Sequence, residues 1–180
     1  FAAALTAAVP EVRIHNHPLR ALERYPLLLA LHRAGINTFS AVRLEGEARP
    51  QRYPVFIRAE DGYGGPETDL IHDEAGFAAA LADLDRRGLA RRGRIAIGYA
   101  AEPGVDGFFR KYGAFVVGGR VLPHHMMRSR GWVVKRNTPD EGWVVGTDRA
   151  DRIKPDAVQE ELAYVRDNPH ADVLARRSEE

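Results

Sequence analysis

Phe108-Phe109-Arg110-Lys111-Tyr112-Gly113-Ala114-Phe115-Val116-Val117, then Gly118-Gly119, then Arg120 to Met127, is the stretch on which the fold turns. Two β-prone runs, Gly107 to Val117 and Arg120 to Met127, flank a Gly-Gly pair. Glycine reaches the positive φ angles that tight two-residue turns require, so this is a long antiparallel β-hairpin. A hairpin of this length does not belong to a doubly wound parallel sheet, and the flanking sequence confirms the distinction.

Upstream, Glu11 to His15 reads as a short strand and Asn16-His17-Pro18 as a polar turn. Leu19 to Ala34 reads as helical, with Pro26 kinking it or opening a second segment and Gly35 closing it. Thr38 to Leu44 and Tyr53 to Arg58 are β-prone, and Glu60 to Thr68 is a glycine loop. Asp73 caps a helix whose Phe77, Leu81 and Leu84 fall on one face before Gly88 ends it. Arg94 to Tyr99 is a strand. Downstream, Trp132 to Lys135 and Trp143 to Val145 read as short strands. Pro155 opens a helix with Val158, Leu162 and Val165 on one face, and a further helical piece follows Asn168. The order lacks regular βαβ alternation and predicts an α+β chain of two lobes with mainly antiparallel sheets. The expected division is a leading segment over 1–35, a small lobe over 36–100 and a second lobe over 101–180.

Composition narrows the function classes. The 26 basic and 25 acidic residues leave a net charge of +1, against a dedicated nucleic-acid or membrane-surface binder. No apolar run reaches membrane-spanning length. With no cysteine, thiolate catalysis and Cys-based zinc sites are excluded. The compartment expected by default is the cytoplasm. The chain starts at Phe1 with no basic n-region, which reads as a piece clipped from a longer protein. Arginine dominates the cations, and Lys111, Lys135 and Lys154 are the three lysines. In a chain that writes Arg by habit, a lysine marks a place needing a compact ammonium, or is simply a leftover.

Three stretches could carry chemistry. Arg58 ends a strand and precedes Gly62, Gly64 and Gly65, a cation and flexible loop able to hold phosphates; a plain surface turn is the competing reading, and Glu60 and Asp61 favour it. In the hairpin, period-two alternation puts Lys111 with Phe109 and Arg110 with Tyr112, so adjacent cations enter apolar surroundings on opposite faces. Each then needs an anionic partner or ligand. Beyond it, Arg128, Lys135 and Asn137 could meet phosphate or a carboxylate, unless the run is an exposed basic loop. His124 and His125, adjacent on a strand, should point to opposite faces and are treated as non-ligands.

The order of these pieces resembles the ATP-grasp superfamily, in particular glutathione-synthetase-like ATP-binding domains. Arg58 stands where the family usually has a lysine, and Gly62, Gly64 and Gly65 are similar to the loop covering the phosphates. Ile95 to Tyr99 resembles the hinge strand, with Ile97 and Tyr99 beside adenine. Arg110 and Lys111 fall at the next cation, and Val116-Val117-Gly118-Gly119-Arg120 is similar to the family's hairpin. The resemblance implies that Arg58, Gly62, Gly64, Gly65, Ile97, Tyr99, Lys111 and Asn137 bind ATP, and that Arg128 and Lys135 act on phosphate or substrate. It implies a carboxylate–amine ligase working through an acylphosphate, with ATP and a small carboxylate as partners. The family's preceding domain and its magnesium-binding strands have no counterpart here, which implies a truncated chain, with Mg2+ held only in the intact parent; no metal ligand is assigned. A nucleotide- or anion-binding module without chemistry is the alternative. A basic domain binding single-stranded nucleic acid through Arg128, Arg130, Trp132, Lys135 and Arg136 is the weaker third.

Overall fold

Three short strands, β1 (Ala41–Arg43), β2 (Val55–Ala59) and β3 (Arg94–Gly98), pair antiparallel in the order β1-β3-β2. The computed structural model describes residues 2–9, 11, 22–117, 119–135 and 155–179. Within them lie helices α1 (Ala2–Ala8), α2 (Arg24–Arg33), α3 (Glu74–Arg86), α4 (Pro155–Asp167) and α5 (Ala171–Glu179), and strands β4 (Phe109–Val117) and β5 (Arg120–Ser129). The chain is α+β. The expected strands at Glu11 to His15 (all but its first residue) and Trp143 to Val145 lie outside the described residues, as does Gly118 in the hairpin turn.

Alternation along the strands builds two cores. Val55 and Ile57 of β2 and Ala96 of β3 point to one face and pack with Phe77, Leu81 and Leu84 of α3. Phe56 of β2 and Ile95 and Ile97 of β3 point to the other, with Tyr25 and Leu28 of α2. A sheet covered on both faces reads as a continuous apolar run, which is why Val-Phe-Ile and Ile-Ala-Ile show no polar alternation. Asp73 accepts a hydrogen bond from the Gly76 N–H at 2.7 Å and caps α3. At the other end Gly88, at φ +67°, lets Leu89 N–H reach the Leu84 carbonyl and stops the helix. Gly35 closes α2 in the same way. Of the expected helix from Leu19, residues 19–21 lie outside the described residues; α2 runs from Arg24, with Pro26 in its first turn, where a missing N–H costs little. β2 begins at Val55, one residue after Pro54, which has no N–H for the ladder.

The hairpin β4–β5 forms a separate two-stranded sheet. Its register slips between Gly113 and Ala114: Gly113 faces His125, Ala114 faces Pro123, and His124 is the extra residue of a bulge beside a proline that cannot donate. α4 packs on β5. The expected apolar face of α4 is not the buried one. Leu162 and Val165 are exposed, whereas Ala157 and Tyr164 are buried. The reason is electrostatic: Arg110 and Arg128 on the hairpin need carboxylates, and Asp156 and Glu160, one helical turn apart, supply them. Trp132 to Lys135 forms no strand. Its segment is anchored by the Trp132 ring on the first sheet instead.

Candidate functional site

Between the first sheet and the hairpin lies a cleft of about 500 Å3. Four cations line it: Arg24, Arg58, Lys111 and Lys135. Among the described residues no Asp or Glu lines it. Arg58 comes from β2 and donates to the Gly62 carbonyl at 2.7 Å. Its pKa is lowered from the ordinary guanidinium value, first by burial and then by the neighbouring Arg24 charge. Arg24, at the start of α2, donates to the carbonyls of Ala59 (3.1 Å) and Glu60. Lys135 donates to the Gly64 carbonyl.

Two carboxylates of the loop are held by arginines that do not line the cleft. Glu60 holds Arg43 through two hydrogen bonds, of 2.9 and 2.7 Å, and Glu67 holds Arg94 at 2.7 and 3.2 Å. The carboxylate at Glu60 therefore does not neutralise the cleft. The described hydrogen bonds of Arg58 go to carbonyl oxygens, which are neutral acceptors. An incoming phosphate would be the stronger, charge-assisted partner.

One wall is aromatic. The Trp132 ring lies 5.4 Å from Phe56 and 5.3 Å from Tyr99, and Phe109 lies 6.5 Å from Tyr99. The Tyr99 hydroxyl is buried without a hydrogen-bond partner among the described residues, and burial raises its pKa above the ordinary phenol value. A buried hydroxyl left unpaired is costly, and a ligand acceptor would relieve it.

The adjacent cations of the hairpin separate. Lys111 is exposed and lines the cleft with Phe109 on its face of β4. Arg110 turns the other way, with Nη2 2.6 Å from Asp106 and Nε on Glu160. Arg128, opposite it on β5, does not line the cleft. Its side chain is 10% exposed, donating to Glu160 at 3.1 Å and to Asp156, with its guanidinium 4.7 Å above the Phe108 ring. Burial pulls the Arg128 pKa down, but the two carboxylates outweigh it and the net direction is up. The structure thus places Arg128 in a charge network that clamps the hairpin to α4, away from Lys135.

Among the sequence-predicted residues, Arg58, Gly65, Ile97, Tyr99, Lys111 and Lys135 line this one cleft. Gly62 and Gly64 contribute carbonyls to its cations. Asn137 lies outside the described residues. Arg24 and Phe56 are cleft residues that sequence reasoning missed: an Arg at a helix start and a Phe in a buried strand carry no signal of their own. Sequence reasoning also placed the rings of His124 and His125 on opposite faces. The bulge brings them together, Nδ1 to Nδ1 at 2.7 Å, because it breaks the alternation on which that expectation rested. Among the described residues no group of three or more His, Asp or Glu side chains could hold a metal ion, so the residues described do not fit a magnesium site. No described helix is long and apolar enough to cross a membrane.

No protein-family model matches the chain, and no curated protein matches it. Among solved structures it is similar to the L-amino acid ligase from Bacillus licheniformis, at 15% identity and a TM-score of 0.43. The match covers 72% of this chain and 30% of the ligase chain.

Proposed function

We propose that this chain is the ATP-binding region of an ATP-grasp-like carboxylate–amine ligase. One observation carries the reading: Arg24, Arg58, Lys111 and Lys135 converge on a cleft with an aromatic wall and, among the described residues, no lining carboxylate. A nucleoside triphosphate joins a flat aromatic base, through a sugar, to a chain of negative charge, and the cleft offers a surface for each end. Its size falls within the range of small-molecule sites.

In this reading Arg58 and Lys111 neutralise phosphate oxygens, Lys135 exchanges the Gly64 carbonyl for phosphate, and the Phe56–Tyr99–Trp132 wall receives the base. Charge neutralisation and positioning are what phosphoryl transfer asks of a protein. In a ligase of this kind the γ-phosphoryl group passes from ATP to a carboxylate, leaving ADP, and an amine then displaces phosphate from the acylphosphate.

Calorimetric titration with ATP, with and without Mg2+, tests this on the full chain and on Lys111→Ala, with tripolyphosphate as a base-free control. Expected is saturable ATP binding, at least tenfold weaker in the variant and tighter than tripolyphosphate binding. Equal affinity for ATP and tripolyphosphate would instead support an anion-binding module without base recognition. No binding by a folded sample would remove the proposal.

A further inference from the structure

A second cleft, of about 770 Å3, lies across the Gly98–Tyr99–Ala100 segment from the first and shares that wall with it. Its apolar lining includes Leu29, Val42, Val55 and Ala96. Among the described residues the titratable side chains around it are His32, Arg33, Arg49, Arg52 and two tyrosines, Tyr53 and Tyr99, with no Asp or Glu. In a chain with 25 acidic and 26 basic residues a mixed rim is the ordinary outcome, so the one-sided lining calls for a reason.

The partners of these groups sharpen the point. Tyr53 spends its hydroxyl on Glu74 at 2.6 Å, and Arg49 is held by the Glu47 and Ala48 carbonyls, with Glu74 3.7 Å away. Arg33 and Arg52 have no carboxylate partner among the described residues. His32 Nδ1 lies 3.0 Å from the Asn37 carbonyl, which only accepts, so Nδ1 carries the proton and Nε2 remains an acceptor when the ring is neutral and a donor when it is charged. The dividing wall is closely packed: a Cβ on Gly98 would sit 3.1 Å from Phe39 Cβ.

We propose that this cleft binds a second small molecule, an anion on an apolar body: a carboxylate or phosphate carried by an aryl or branched alkyl group. The apolar lining takes the body, and the Arg33 and Arg52 guanidiniums take the charge with two-pronged hydrogen bonds. The site is independent of the nucleotide reading. It uses none of the cations of the first cleft.

The test is an amide-resolved NMR titration of the full chain with benzoate, phenyl phosphate, inorganic phosphate and benzyl alcohol. The Arg33→Ala/Arg52→Ala and Lys111→Ala variants are titrated in parallel. Expected are saturable shifts from an aryl anion at amides 38–42 and 51–55, at least tenfold weaker in the double variant and unchanged in Lys111→Ala. Tighter binding of phenyl phosphate than benzoate assigns the phosphate class, and the reverse order the carboxylate class. The proposal is overturned if neither aryl anion saturates these amides, or if the double variant binds as the parent does. It is equally overturned if inorganic phosphate or benzyl alcohol binds as tightly as the aryl anions. Arg33 and Arg52 are exposed, so both variants should retain the fold, and their unfolding midpoints check it.

Discussion

Lys135 donates from Nζ to the carbonyl oxygen of Gly64, tying together two stretches separated by 71 positions in the chain. The tie runs from the segment after the hairpin to the glycine loop, across the mouth of the cleft. It makes Gly65 a sensitive position. A Cβ there would meet the Lys135 ammonium, which could move aside only by leaving the Gly64 carbonyl, and the backbone sits at φ +96°. Gly65→Ala is therefore expected to cost about 1–3 kcal/mol in urea unfolding and to weaken ATP binding. Gly64→Ala is the control, since nothing lies within 4 Å of its added Cβ and its φ is not positive. Equal effects from the two substitutions would show that the Lys135 contact does not matter.

Glu160 is the centre of a five-member charge chain, Asp106–Arg110–Glu160–Arg128–Asp156. Its two oxygens serve two guanidiniums, and both arginine side chains are at most 20% exposed. Glu160→Gln would leave both arginines under-neutralised. Removing one member of a fully buried pair costs several kcal/mol, and the partial exposure here reduces the expected loss to about 1–3 kcal/mol. Denaturant unfolding should register that loss, while ATP affinity at the first cleft stays within about twofold. A loss below about 0.5 kcal/mol would place the network among ordinary surface pairs.

The same network sets an acid response. Hydrogen bonding to Arg110 holds the Asp106 carboxyl well below its ordinary range, and Arg128 lowers that of Asp156. A carboxylate with a depressed folded pKa adds stability that is complete above its unfolded value, about 3.9, and is lost as pH falls through the folded values. The α4–hairpin contact should thus hold at neutral pH and loosen progressively below about pH 4. Hydrogen exchange of α4 amides at pH 6 and pH 3 measures it. An Asp106→Asn/Asp156→Asn variant should lose part of this pH dependence, and a variant whose exchange still tracks pH as the parent's does would assign the response to other groups.

The parts legible in the sequence are those decided locally. Asp73, the Phe77–Leu81–Leu84 spacing and Gly88 specify α3 without reference to anything distant, and the helix forms with that cap and that buried face. The Gly118-Gly119 turn and its flanking runs announce the hairpin just as directly. The cleft was legible only in part. Arg58 and Lys111 stood out by residue type, but nothing near Arg24 says that α2 will present it to the same space. The apolar spacing of α4 does not mark its buried face, because that face is set by the demand of Arg110 and Arg128 for carboxylates. That demand arises only once β4 and β5 pair and set Arg110 opposite Arg128. The His124 bulge is likewise a property of pairing, not of the strand alone.

Trp132 tests whether the aromatic wall recognises a base or merely holds the cleft together. Its ring contacts Phe56 and Tyr99, and the residues after it carry Lys135 to the glycine loop, so either role fits its position. The two roles separate by ligand. If the ring stacks with a base, Trp132→Ala should weaken ATP binding by about 1–3 kcal/mol, the usual worth of a base–aromatic contact, and leave tripolyphosphate binding nearly unchanged. If the ring only anchors the segment, Lys135 moves with it and both ligands lose affinity together. The chain has two tryptophans, so a Trp143→Phe background isolates the Trp132 emission for the titrations. In that background ATP, but not tripolyphosphate, is expected to quench Trp132. Equal quenching by both, with equal loss in Trp132→Ala, would make the wall a structural support and leave the cations as the whole of the site.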